Sequence, residues 1–198
     1  MPNAANKVKF GLKNVHYAMI TAVSDAGVPT YATPVPFPGA VSLSMDPQGE
    51  STPFYADNIA YYVTVGNAGY QGDLEVAMVP DSFRVDALGD VADSKGVFVE
   101  DSAANSRNFA LLFEFDGDER KTRHCLFSCY ATRPSVEDET TEATKNPKTE
   151  TLTLTASAVY NASLQKDIVK SRTGPDTDAD TFANWYSAVY IPTASAGG

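Results

Sequence analysis

Basic residues are scarce in this chain. Fifteen Lys and Arg stand against 25 Asp and Glu, a formal net charge of −10 over 198 residues. A protein that grips nucleic acid must offer enough cations to displace counterions from phosphates, so a DNA- or RNA-binding role is disfavoured. Long apolar runs are also lacking. No stretch approaches the roughly 18 to 20 residues needed to cross a bilayer, and Met1–Gly11 has no uninterrupted apolar segment of the signal-peptide kind, so the expectation is a soluble protein made in a cytoplasm. Histidine is limited to His16 and His124, and cysteine to Cys125 and Cys129. On one strand two cysteines four residues apart are separated by about 13 Å, too far for a disulfide. Both thiols are expected as half-buried apolar filler. A zinc site needs three or four converging N or S ligands, and His124-Cys125 on one strand points its side chains to opposite faces. No phosphate-binding glycine loop, nucleophile elbow or dinucleotide fingerprint occurs.

What the chain does contain is ordinary globular material, 43% apolar and 20% charged, enough for one large domain or at most two small ones; a single domain over 1–198 is expected. The acidity is uneven. Residues 46–118 hold three bases, Arg84, Lys95 and Arg107, against fourteen acids, whereas residues 1–45 are slightly basic and 119–198 nearly neutral. Such a block is either solvated loop surface or an acidic face with a purpose, such as repelling a polyanion.

From Lys7 to Arg133 short runs of Val, Ile, Tyr, Phe and Thr alternate with turn residues, the pattern of an antiparallel sheet protein. His16–Val23 reads as a strand followed by an Asp25-Ala26-Gly27 turn. Tyr31–Pro38 carries three alternating prolines and fits only an edge strand or an extended connection. Val41–Met45 reads as a short strand ended by a turn at Asp46–Gly49. Phe54–Asp57, Ile59–Val65 and Tyr70–Val79 follow, then a short helix over Pro80–Leu88 and a strand at Val97–Val99. Asp116-Gly117-Asp118 between Phe109–Phe115 and Lys121–Thr132 is a strong hairpin signal. Within its first arm Phe109, Leu111, Phe113 and Phe115 face one way and Ala110, Leu112, Glu114 and Asp116 the other. Leu152–Tyr160 reads as a returning strand. Thr181–Tyr190 reads as a terminal helix whose Phe182, Trp185, Tyr186 and Val189 form a core stripe.

Three features remain for function. Phe54, Tyr55, Tyr61, Tyr62 and Tyr70 put five aromatics within seventeen residues, together with Asp57 and Asn58. They suit either a protein-facing surface or an aromatic strand pair packed inside the monomer. Pro134–Glu150, with five acids and Val136 its sole apolar side chain beyond Ala, reads as an exposed arm or loop. Glu114 and Asp116 lie about 7 Å apart on one strand face, a spacing that overlaps inverting glycosidases. Any strand with alternate acids produces that spacing, and Asp is favoured in a turn for its geometry alone.

The order of several phrases narrows the choice. Lys7–Ala18 (KVKFGLKNVHYA), Pro38-Gly39-Ala40-Val41, Tyr55-Ala56-Asp57-Asn58, Gly69–Glu75 (GYQGDLE), Phe109–Asp118 (FALLFEFDGD), Arg133-Pro134 and Lys148–Leu152 (KTETL) together resemble the major tail proteins of long-tailed bacteriophages with flexible, non-contractile tails. The resemblance spans about Lys7 to Tyr190. It implies a mainly β fold, an antiparallel sandwich or barrel of the tail-tube type with one or two short flanking helices. It also implies a structural virion protein without catalytic residues, cofactors or metal. Six subunits would form a ring, and rings would stack into the tube that conducts DNA during ejection. Its partners would be further copies of itself and the tape measure, tail-terminator and distal tail proteins, with assembly in the bacterial host cytoplasm and no membrane contact. By position, residues 46–67 would be the inter-subunit loop or hairpin, with Phe54, Tyr55, Asp57, Asn58, Tyr61 and Tyr62 at the interface. Residues 134–150 would be an arm and residues 194–198 a flexible tail. Asp73, Glu75, Glu114 and Asp116 are candidates for an acidic lumen that DNA passes without specific binding. A carbohydrate- or surface-binding β-sandwich using the same aromatics is the alternative.

Overall fold

The computed structural model describes residues 11–49, 51–56, 59–116, 121–136 and 148–194, with the backbone alone for 51–56 and 60–65. The strands are β1 (Leu12–Val23), β2 (Pro29–Tyr31), β3 (Val35–Pro36), β4 (Ala40–Gln48), β5 (Ser51–Ala56), β6 (Ile59–Val65) and β7 (Gly69–Val76). Helix α1 (Asp81–Phe83) runs into a π-helical turn, Arg84–Leu88, that Gly89 ends with φ of 86°. Then follow β8 (Val91–Ala92), β9 (Phe98–Val99), β10 (Phe109–Phe115), β11 (Arg123–Ala131), β12 (Glu150–Ser157), β13 (Val159–Asn161), β14 (Lys166–Ile168), β15 (Lys170–Arg172) and α2 (Ala179–Ala183). The main sheet is antiparallel, ordered β2-β1-β10-β11-β12-β7-β4, with β3 also beside β1 and β15 beside β11. It curls until β4 touches β1 but does not close into a barrel, so the architecture is sandwich-like.

The alternation in β10 builds two cores. Phe109, Leu111 and Phe113 enter the larger one with Tyr17, Leu74, Leu152 and Leu154, while Ala110 and Leu112 enter a second with Phe127, Trp185 and Val189. Each fully buried Leu or Phe stabilises the fold by about 1.5 to 3 kcal/mol. Phe83, at the end of α1, is the lid of the first core. Its ring meets Tyr17 and Phe109 edge-on, each at 5.1 Å, and Phe37 at 4.9 Å. This edge-to-face geometry is the one ring quadrupoles favour. The C-terminal segment covers the second core.

Three sequence expectations change. Asp46–Gln48 does not end the strand, because β4 runs on to Gln48 and Pro47 pairs with Tyr70. As an outer strand β4 tolerates a residue with no N–H to donate. The terminal helix stops at Ala183. From there the chain tightens, with Trp185 N–H donating to the Phe182 carbonyl and Ser187 N–H to the Asn184 carbonyl, three residues back in each case. That tightening carries Trp185 and Val189 into the second core with Tyr186 packed against it, while Phe182, still on α2, stays outside that core and meets Arg123. Finally, Glu150 belongs to β12 rather than to an arm. Its carboxylate accepts from Val79 N–H at 2.6 Å and pairs with Arg84 at 2.9 Å.

Candidate functional site

Among the described residues, half of the sheet leaves one face bare. In β12 the buried residues Leu152, Leu154 and Ala156 alternate with Thr151, Thr153 and Thr155, and β7 places Leu74 and Val76 on the same inner side. The outer face is therefore built in cross-strand rows. Ser42, Glu75 and Thr151 form one row, Ser44, Asp73 and Thr153 the next, and Asp46, Gln71 and Thr155 a third. Thr153 Oγ1 donates to Asp73 Oδ1 at 2.8 Å, Ser42 Oγ to Glu75 Oε2 at 2.9 Å, and Thr149 Oγ1 to Glu75 Oε1 at 2.7 Å. The Thr149 hydroxyl, and after it that of Ser42, holds the Glu75 carboxyl below the ordinary carboxylate range. None of β4, β7 and β12 contains Lys or Arg. The face is polar and negatively charged, with no cation from its three strands. Gly72 lets β4 close in on β7, since a Cβ there would lie 1.8 Å from the Ser44 carbonyl oxygen.

The four acids singled out in the sequence fall into three settings. Asp73 and Glu75 lie on the bare face. Glu114, only 7% exposed, is folded into a cluster under the C-terminal segment. Asn14 Nδ2 donates to its Oε1 at 2.6 Å, the Tyr186 hydroxyl donates to Oε2 at 3.3 Å, and Arg123 Nε stands 3.5 Å from Oε2. The Arg123 guanidinium in turn lies 3.9 Å from the Phe182 ring centre and 5.0 Å from that of Tyr186. Burial, and secondarily the Glu114 charge, pushes the Tyr186 phenol up. Asp116 is exposed, 3.8 Å from Lys13.

The remaining chemistry-bearing residues are packed. His16 stacks on Tyr186 at 4.6 Å and His124 on Phe113 at 5.1 Å. Cys125 and Cys129 are buried free thiols; burial raises both, Cys129 to about 12. Among the described residues no group of three or more His, Cys, Asp and Glu is arranged to hold a metal ion.

The segment expected to be an inter-subunit hairpin is a hairpin. β5 and β6 pair only with each other in a separate two-stranded sheet, with Phe54 opposite Tyr62 and Tyr55 opposite Ala60. They prolong the β4–β7 pair, which hands over where Ala68 N–H donates to the Gln48 carbonyl at 2.8 Å. The β4–β7 and β5–β6 pairs thus follow one another as the two halves of one ribbon. Two strands alone are marginally stable in water. Asp57 and Asn58 lie outside the described residues, as do 137–147 of the expected arm and 195–198 of the tail.

The strand read at Val97–Val99 is present as β9, but its partner and its exposure were missed in the sequence. β8 and β9 form a small ribbon in which Val91, Val97, Phe98 and Val99 are 58, 56, 43 and 51% exposed. Its turn is legible afterwards: Asp93 Oδ1 accepts from the N–H groups of Lys95 and Val97, and Gly96 supplies φ of 81°. The paired valines around Asp-Ser-Lys-Gly were the signal.

No curated protein matches the chain. Comparison with protein families matches residues 3–194 to a family described as phage tail tube protein. That match covers nearly the whole chain, and so this protein belongs to the phage tail tube protein family.

Proposed function

We propose that the chain is the tube subunit of a long, flexible, non-contractile phage tail, closing six to a ring and stacking ring on ring around a channel that DNA traverses during ejection. The bare face of β4, β7 and β12 carries this reading. DNA held by a protein is held by Lys and Arg, each phosphate contact releasing counterions. A face with Asp46, Asp73 and Glu75 set among Ser, Thr and Gln, and with no Lys or Arg in its strands, offers DNA no such grip. Facing a lumen, it repels the polyanion weakly and lets it slide. The open sheet supports the ring, because unlike edges, β4 at one end and β2 with β3 at the other, can meet head to tail. The β5–β6 ribbon, bearing Phe54, Tyr55, Tyr61 and Tyr62, reaches the next subunit, and residues 134–148, which stop short of β12, supply a second arm. Tape measure, tail-terminator and distal tail proteins meet the tube inside and at its ends, in a virion tail assembled in the host cytoplasm.

Negative-stain electron microscopy of the purified protein at rising concentration tests the reading. Tubes or rings with a central channel are expected. Permanent monomers that bind glycans through Tyr61 and Tyr62 would overturn it in favour of a carbohydrate-binding module.

A further inference from the structure

The β8–β9 ribbon is an apolar knob that fills nothing among the described residues. Val91, Val97, Phe98 and Val99 are all about half exposed, so both sides of the ribbon are apolar, whereas a two-stranded ribbon at a solvated surface ordinarily keeps at least one side polar. Its root is firm. The Asp90 N–H donates to the Arg84 carbonyl and the Arg107 N–H to that of Ala87, so residues 90–106 leave and return at the π-helical turn, over the first core. Arg133 ties the base further, 3.0 Å from Glu100 and donating to the carbonyls of Leu88 and Asp101.

On the opposite face of the sheet the described residues leave an apolar hole. Over the second core, Pro29, Tyr31, Phe127, Val159, Ile168 and Ile191 line a cavity of about 230 Å³. A broader cleft of about 630 Å³ adjoins it, sharing Pro29 and Val159. Ile191 at its rim is 42% exposed. No residue of β8 or β9 lines either one.

We infer that the β8–β9 knob of one subunit seats Phe98 in the Pro29–Ile191 cavity of a second copy of this chain. A knob and a complementary hole on opposite faces of one molecule make a heterologous contact, which propagates or closes into a ring rather than stopping at a dimer. The occupant is a second copy because a tube subunit is surrounded by copies of itself, and this step rests on the tube reading. Phe98 is the anchor, a large aromatic centred among valines, the type that dominates interface energies.

Two experiments on the full-length protein test the contact. Phe98→Asp, at an exposed position that leaves circular dichroism and thermal unfolding unchanged, raises the concentration needed for assembly at least about tenfold. The pair Phe98→Cys and Ile191→Cys, treated with a short bismaleimide, gives a covalent ladder beyond dimer on a denaturing gel. Neither single variant passes dimer, and the buried Cys125 and Cys129 leave the wild type unlinked. Unimpaired assembly of Phe98→Asp together with no ladder overturns the inference while the tube reading stands. If the wild type forms no tubes, the tube reading fails, and the ladder at high concentration still decides the contact.

Discussion

Replacing Glu114 with alanine removes the carboxylate that, among the described residues, pairs with Arg123 in the cluster beneath the C-terminal segment. The Arg123 side chain is 17% exposed and that of Glu114 9%, so water does little to soften the loss. Breaking one side of a nearly buried ion pair costs about 3 to 5 kcal/mol, most of it the penalty of the stranded charge. Asn14 Nδ2 and the Tyr186 hydroxyl also lose their acceptor. With a urea slope of about 2 kcal/mol per molar, the midpoint should fall by roughly 1.5 to 2.5 M at unchanged slope. Glu114→Gln keeps the shape and one acceptor and should lose less, about 1 to 3 kcal/mol. Asp116→Ala is the contrast two residues along the chain. Its partner Lys13 is 3.8 Å away with both side chains more than half exposed, so the change should stay within about 1 kcal/mol. A Glu114→Ala midpoint shift no larger than that of Asp116→Ala would refute the assignment of Glu114 to the folded interior.

Other outcomes follow from the bare face. Gly72→Ala drives a Cβ against the Ser44 carbonyl and should destabilise by at least about 1 to 3 kcal/mol, with faster amide exchange concentrated in β4; a neutral result would contradict the close approach of β4 and β7. Thr149→Val should move the Glu75 carboxyl back up toward its ordinary value in a carboxyl NMR titration. The sign for stability is fixed: a carboxyl lowered on folding contributes above its unfolded value, and the contribution fades as pH falls through the lowered one. An unmoved Glu75 titration would show that the hydroxyls do not hold it. Asp73→Lys with Glu75→Lys should leave tubes intact and slow DNA ejection from particles built with the variant; ejection at the wild-type rate would remove the electrostatic role of this face.

Much of the fold was legible because strand periodicity is local. The two-faced alternation of β10 named the residues of both cores, and the Asp-Gly step located the hairpin arms on either side of it. Trp185 and Val189 were placed in the core correctly while their helix was not, since a stripe of apolar residues reports burial and the backbone that delivers it is settled by the packing. Cys125 and Cys129 show the opposite limit. Four apart on a regular strand they would share a face, but an extra residue in β11 opposite Phe109–Leu111 sends Cys125 to the second core and Cys129 to the first. A bulge of that kind belongs to the pairing of two strands and leaves no mark in either one. The acids separate for the same reason. Asp73 and Glu75 gained hydroxyl partners from strands 30 to 80 residues away in sequence, and Glu114 was enclosed by a segment about 70 residues on.

A three-dimensional electron-microscopy reconstruction of the assembled protein tests the account at its centre. The rows of β4, β7 and β12 should face the central channel, with Asp73, Glu75 and Thr153 on its wall and no lysine or arginine between them. Finding that face on the outside of the tube, or sealed against a neighbouring subunit, would contradict it.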